Sequence, residues 1–111
     1  MTSFRETRVT TSLDIKRAAD LLAALAHPIR LQIVDGLLAG QSDVGAMVQC
    51  LGHPQPIVSR HLSVLRAAGI VLAVRDGRHR NYRVVNQRAV EAVLRSLPFR
   101  TAAATAEEIA S

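Results

Sequence analysis

The sequence predicts a mainly α-helical domain that carries one small β-hairpin and pairs with a second copy of itself. Three observations lead there. Apolar residues recur at three- and four-residue steps in five separate stretches between residues 12 and 97. A single stretch, Val71 to Val85, changes to β-forming residues around an Asp76-Gly77 turn signal. The charge is also uneven. Residues 54–88 hold seven arginines against one acid, Asp76, a net of +6, while the rest of the chain has seven basic and eight acidic residues, a net of −1.

At 111 residues the chain fits one domain, and with 49% apolar but only 3% aromatic residues its core must come from Leu, Val, Ile and Ala. A domain this small gains useful buried area by pairing. The lone Cys50 excludes an intrachain disulfide and with it a stapled secreted scaffold. No apolar run is long enough to span a bilayer, and the chain begins MTSFRETR rather than with an apolar signal core, so the expected location is cytoplasmic with no membrane partner.

Residues 1–11 lack periodicity and read as a flexible N-terminal arm; the domain proper is expected over 12–97, and the Ala-rich residues 98–111 as a C-terminal tail. Ser12 is the expected N-cap of a first helix with Ile15, Ala18, Leu21, Leu22 and Leu25 on its apolar side. Pro28 starts a second helix after a turn at His27; Ile29, Ile33, Val34, Leu37 and Leu38 face inward and Gly40 ends it. Asp43 caps a short third helix bearing Val44, Met47, Val48 and Leu51, and Gly52 stops it.

The corner His53-Pro54-Gln55-Pro56 leads into a fourth helix, where Val58, Leu62, Leu65 and Gly69 share one stripe and Ser59, Arg60, Ser63 and Arg66 point elsewhere. Two short helices joined by a Gly-bearing turn, the second with a polar outer face, make a helix-turn-helix. The hairpin that follows, with Arg75, Arg78, Arg80 and Arg83, makes it a winged helix-turn-helix of order α-α-α-α-β-β-α. Asn86 then caps a last helix striped with Val90, Val93, Leu94 and Leu97. A three-helix core has little room for the stripes of both the first and last helices, so these surplus faces belong at an interface between copies.

From Ala24 to Val85 the runs ALAHPIRLQIVDGLL, DVGAMVQCLG and QPIVSRHLSVLRAAGIVLAVRDGRHRNYRV resemble the ArsR/SmtB family of bacterial winged-helix repressors. The resemblance implies a homodimer joined by the first and last helices, binding to a double-stranded DNA operator, and release of repression by a small effector. By position it assigns Gln55, Ser59, Arg60 and His61 to the reading helix and Arg78 and Arg80 to the wing tip; with Pro56 and Ser63 on the same helix these form the expected DNA-binding set. Gln55 suits adenine edges, Arg60 guanine, and the wing arginines phosphates or a minor groove. Pro54 departs from the Ser or Thr usual before this helix in the family, and His53 from an aliphatic residue.

The family's sensor sites are not repeated. Asp43 and Gly45 stand where many relatives have a Cys-x-Cys metal pair, residues 86–97 contain no His and one acid, Glu91, and one cysteine cannot make a dithiol switch. The effector is therefore unidentified, and no cofactor or metal is expected. Cys50, one position off the apolar stripe, reads first as a packing residue and second as a thiol sensor. His53, His61 and His79 match no zinc spacing. Ser59 and His61 diverge by about 200° on a helix and cannot share a proton, so no enzyme is expected. The alternative to a DNA-binding regulator is a winged-helix protein-interaction module without specific DNA binding. The wing brings no aromatic stacking platform for single strands or RNA.

Overall fold

The computed structural model describes residues 11–99; the expected tail beyond Phe99 and the expected arm, apart from Thr11, lie outside them. Within that range the order is α1 (Ser12–Leu25), α2 (Pro28–Leu38), α3 (Val44–Leu51), α4 (Gln55–Ala67), β1 (Val71–Asp76), β2 (His79–Val84) and α5 (Gln87–Arg95).

Local chemistry sets the boundaries. The cap of α1 is Thr11, not Ser12: the Asp14 amide donates to Thr11 Oγ1 at 3.1 Å and the Thr11 amide to Asp14 Oδ2 at 3.4 Å. This reciprocal box needs an acid three residues after the cap. Thr11 has Asp14 there, whereas Ser12 would have Ile15. His27 is more than a turn residue, since its Nδ1 accepts from the Ile29 amide at 3.1 Å and caps α2 ahead of Pro28. Asp43 caps α3 through the Ala46 amide at 3.2 Å, and Asn86 caps α5 through that of Ala89 at 3.3 Å. Beyond α4 the chain reverses at Gly69, whose φ of +77° a side chain would oppose, and the Ile70 amide bonds back to the Leu65 carbonyl at 3.0 Å.

The core lies where α2, α3, α4 and the base of the hairpin meet. Ile33, Val34, Met47, Val58, Leu62, Leu65, Val71, Val84 and Leu94 are its fully buried members. All but the strand residues Val71 and Val84 are positions on the expected apolar stripes. The two strands pair antiparallel with Val71 opposite Val84 and Asp76 opposite His79, so the turn is Gly77-Arg78 and Asp76 still belongs to the strand. Gly77 has a φ of +61° and Arg78 does not go positive, which excludes a type I′ turn and matches glycine at the first position of type II′. On its free edge β2 meets the residues before α3: the Tyr82 amide donates to the Ser42 carbonyl at 2.9 Å, and Asp43 bridges to Asn81. The wing is thus anchored to the start of the helix-turn-helix.

The first helix is only partly absorbed. Ala24 and Leu25 are buried, but Leu13, Ile15, Leu21 and Leu22 remain 55%, 58%, 40% and 54% exposed. Between α1 and α5 runs an apolar groove of about 270 Å³ lined by Leu21, Leu22, Leu25, Ile70, Val90 and Val93 among others. Among the described residues no single helix is long and apolar enough to cross a membrane.

Candidate nucleic-acid interface

Helix α4 turns Val58, Leu62 and Leu65 into the core. Successive residues rotate by about 100°, so Pro56, Arg60 and Ser63 fall on the opposite side, flanked by Gln55 and Ser59. Gln55, Pro56, Arg60 and Ser63 are exposed and Ser59 is half-buried. Arg60 makes no hydrogen bond or ion pair within the described residues, which leaves its forked guanidinium free for an outside acceptor. Ser63 is less free, because its hydroxyl donates to the Ser59 carbonyl at 3.0 Å and retains only acceptor capacity. Pro54, at the cap, supplies no side-chain bond to the helix start.

His61 takes a place the sequence reading did not anticipate. It lies beside the buried stripe, half-buried, with its ring centroid 4.3 Å from that of His27 at an interplanar angle of 41°. Arg30 Nε donates to His61 Nδ1 at 3.3 Å, and Arg30 Nη1 donates to the Ala24 carbonyl at 3.0 Å. Burial holds the His61 pKa below the usual imidazole value, helped by the nearby charges of His27, Arg30, Arg60 and His53. A neutral ring is also what this geometry needs, since Nδ1 must accept. His61 therefore joins α4 to the α1–α2 corner rather than facing outward with Arg60.

The wing contributes Arg75, Arg78, Arg80 and Arg83, all exposed. Arg78, in the two-residue loop, is at the tip. A cleft of about 370 Å³ separates the wing from α3 and the start of α4, and Gln49, Gln55, Arg78, His79 and Arg80 line it. This places Gln55, at the head of the helix, and the wing arginines around one depression. Asp43 braces the arrangement: Oδ2 caps α3 while Oδ1 lies 3.7 Å from His79 Nδ1 on the wing. Sequence reasoning saw only the cap; its partner, 36 residues on, depends on the wing folding back.

Cys50 is exposed, with Gln41 Nε2 donating to its sulfur at 3.2 Å, so the packing role expected for it is incorrect. The buried side of α3 is narrow, carried by Val44 and Met47, and Cys50 falls beyond its edge. His53 Nε2 lies 3.2 Å from Gln32 Oε1. Among the described residues no three His, Cys, Asp or Glu side chains come together as a metal site.

A helix-turn-helix with a basic two-stranded wing docked on its first helix is shared with known regulators. A family model described as "Bacterial regulatory protein, arsR family" matches residues 27–72. The transcriptional repressor PagR of Bacillus anthracis superposes with a TM-score of 0.70 at 31% identity, covering 78% of this chain and 98% of that one. The chain belongs to the ArsR family. Among relatives by sequence, the HTH-type transcriptional repressor SmtB of Mycobacterium tuberculosis is 44% identical over 77 residues, 69% of this chain. The match spans 57% of that relative's length. The winged helix-turn-helix domain of Mb0332 from Mycobacterium bovis, described as homodimeric and a possible ArsR-family regulator, superposes with a TM-score of 0.63 at 28% identity, covering 78% and 89% of the two chains. The ArsR-family match covers the capped α2, α3 and α4 and reaches the first strand residues, which is the part that carries the candidate interface.

Proposed function

We propose that this ArsR-family chain is a dimeric, sequence-specific transcriptional repressor that acts on double-stranded DNA in the cytoplasm. The observation that carries the reading is the shared cleft: Gln55 on the reading helix and Arg78 and Arg80 on the wing line one depression, so helix and wing can engage adjoining parts of one duplex. PagR and SmtB, both described as transcriptional repressors, support it. Gln55, Pro56, Ser59, Arg60 and Ser63 are assigned to the major groove, Arg78 and Arg80 to the backbone or an adjoining minor groove. His61 acts indirectly, by holding the helix that carries them.

The dimer is assigned to α1 and α5, whose exposed leucines and apolar groove are the surfaces that a single copy leaves unpaired. Residues 12–97 form the working domain, flanked by an arm and a tail. An effector of unassigned chemistry would release the operator, and the exposed Cys50 thiol remains a candidate sensor group.

Gel-shift titrations of the full chain against its own upstream DNA and a scrambled duplex test this reading. Preferential binding is expected, with log affinity falling against log salt by about 0.9 for each phosphate neutralised. Arg60→Ala should reduce the preference by about 1–3 kcal/mol, whereas Arg78→Ala should weaken all duplexes alike. A flat salt response, or no preference between duplexes, would overturn the reading and leave a protein-interaction module.

A further inference from the structure

On the other side of the wing lies a second basic cleft, of about 330 Å³, lined by Arg66, Ala73, Val74, Arg75, Arg80 and Tyr82. Its arginines come from three elements, α4, β1 and β2. Arg66 is in the last turn of α4, while Arg75 and Arg80 stand directly opposite one another across the hairpin. Side chains of a directly opposed pair project from the same face with Cβ atoms about 4.5–5.5 Å apart, and like charges so placed destabilise a hairpin. Among the described residues no carboxylate pairs with either arginine to relieve the conflict. The acid next in sequence, Asp76, alternates to the opposite face of its strand. None of the three guanidiniums makes a hydrogen bond or ion pair within the described residues. One pair further in on the same face, Ala73 stands opposite Tyr82, whose largely buried ring closes the inner end.

Three unpaired guanidiniums lining one cleft, with no carboxylate among its lining residues, suit a tetrahedral oxyanion: their forked N–H groups match it, and its charge removes their repulsion. We propose that this cleft is a phosphate-binding site, seating one phosphate group between the end of the reading helix and the wing. Two sources carry that chemistry: a backbone phosphate of bound duplex, which rests on the function proposed above, and a free phosphorylated small molecule, which does not. Arg66 and Arg75 are the diagnostic residues, because Arg80 also borders the cleft on the helix-head side.

The test uses the full chain with Arg66→Gln and Arg75→Gln. In one arm inorganic phosphate or pyrophosphate is titrated at constant ionic strength against chloride, following arginine Nε–Hε resonances by NMR and the melting temperature. Shifts at Arg66, Arg75 and Arg80 together are expected, and each variant should weaken binding by roughly tenfold or more. In the second arm the salt slope for duplex binding is measured; each variant should make it shallower by up to about 0.9, equally for operator and scrambled DNA. A response in both arms identifies one site used by both sources; phosphate binding with an unchanged slope identifies the free ligand, and a changed slope without phosphate binding identifies the backbone. Unperturbed resonances and unchanged slopes in both variants overturn the site. If wild-type protein binds no duplex, the repressor reading fails while the phosphate arm still decides the cleft. Arg75→Gln also controls for folding: without phosphate it should melt no lower than wild type, because it removes one member of the repelling pair.

Discussion

Replacing Leu22 by alanine should dissociate the proposed dimer without unfolding the subunit. Leu22 sits on α1 beside the apolar groove and is 54% exposed in a single copy, so about half of its surface is left for a partner to cover. Truncation to alanine removes roughly three methylene equivalents, worth about 2.4 kcal/mol if fully buried. Half of that is about 1.2 kcal/mol per copy, and two-fold symmetry doubles it to about 2.4 kcal/mol per dimer. The dimer dissociation constant should therefore rise about 50-fold. Sedimentation equilibrium over a concentration series measures it directly, and circular dichroism checks that helix content is retained, as expected when Ala24 and Leu25 still anchor α1. Gel-shift midpoints should move to higher protein concentration with an unchanged salt slope. Val74→Ala, on the 40%-exposed side chain of the wing, serves as the control and should leave association untouched. A folded Leu22→Ala protein whose dimer constant moves by less than about threefold would refute the assignment of α1 to the interface.

Two further outcomes follow from the polar contacts that position α4 and the wing. The folded-state pKa of His61 is lowered, so the fold resists a proton that the unfolded chain accepts; the stability linked to it is present above about pH 6.5 and falls as pH drops below that value. Urea midpoints between pH 7.5 and pH 5.5 should show this decline, and a folded His61→Gln protein should show less of it; equal slopes would mean that other groups dominate. Asp43→Ala should cost about 1 kcal/mol through the lost α3 cap, whereas Asp43→Asn keeps a capping oxygen and should stay close to wild type in thermal melts. Equal losses from both would shift the weight to the charge facing His79.

Much of this architecture is legible because periodicity and punctuation agree. The stripes through Val58, Leu62 and Leu65 and through Ile33, Val34 and Leu37 are repeated in the core, and Gly52 and Gly69 end helices where the sequence places them. What is harder to read involves long sequence separations. The partners of His61 are His27 and Arg30, 34 and 31 residues away, so no local pattern could announce that its ring faces the α1–α2 corner. Asp43 reads as a cap, but its second oxygen answers to His79 only because β2 docks against residues 42 and 43. Cys50 departs from its expected packing role for a different reason: on an eight-residue helix with only two buried positions, one step off the stripe is already solvent. Arg66 and Arg75 count toward the basic surplus, yet their convergence with Arg80 depends on strand register and on where α4 ends.

The contacts of Arg30 bear on how a dimer could present two reading helices at a fixed angle. One guanidinium nitrogen bonds to the Ala24 carbonyl, near the end of α1, and another to His61 on α4. His27, which caps α2, lies against the same His61 ring, so three helices meet through one cluster. If α1 lies in the interface, the orientation of α4 relative to the two-fold axis is set across this short path rather than through the wing. The wing has its own anchor at Ser42 and Asp43, at the start of α3. Helix and wing are therefore positioned by separate polar devices around one apolar core, and a change in either could alter DNA engagement without disturbing the other. Protons reach the first anchor directly, because a charged His61 ring loses the acceptor nitrogen that Arg30 uses.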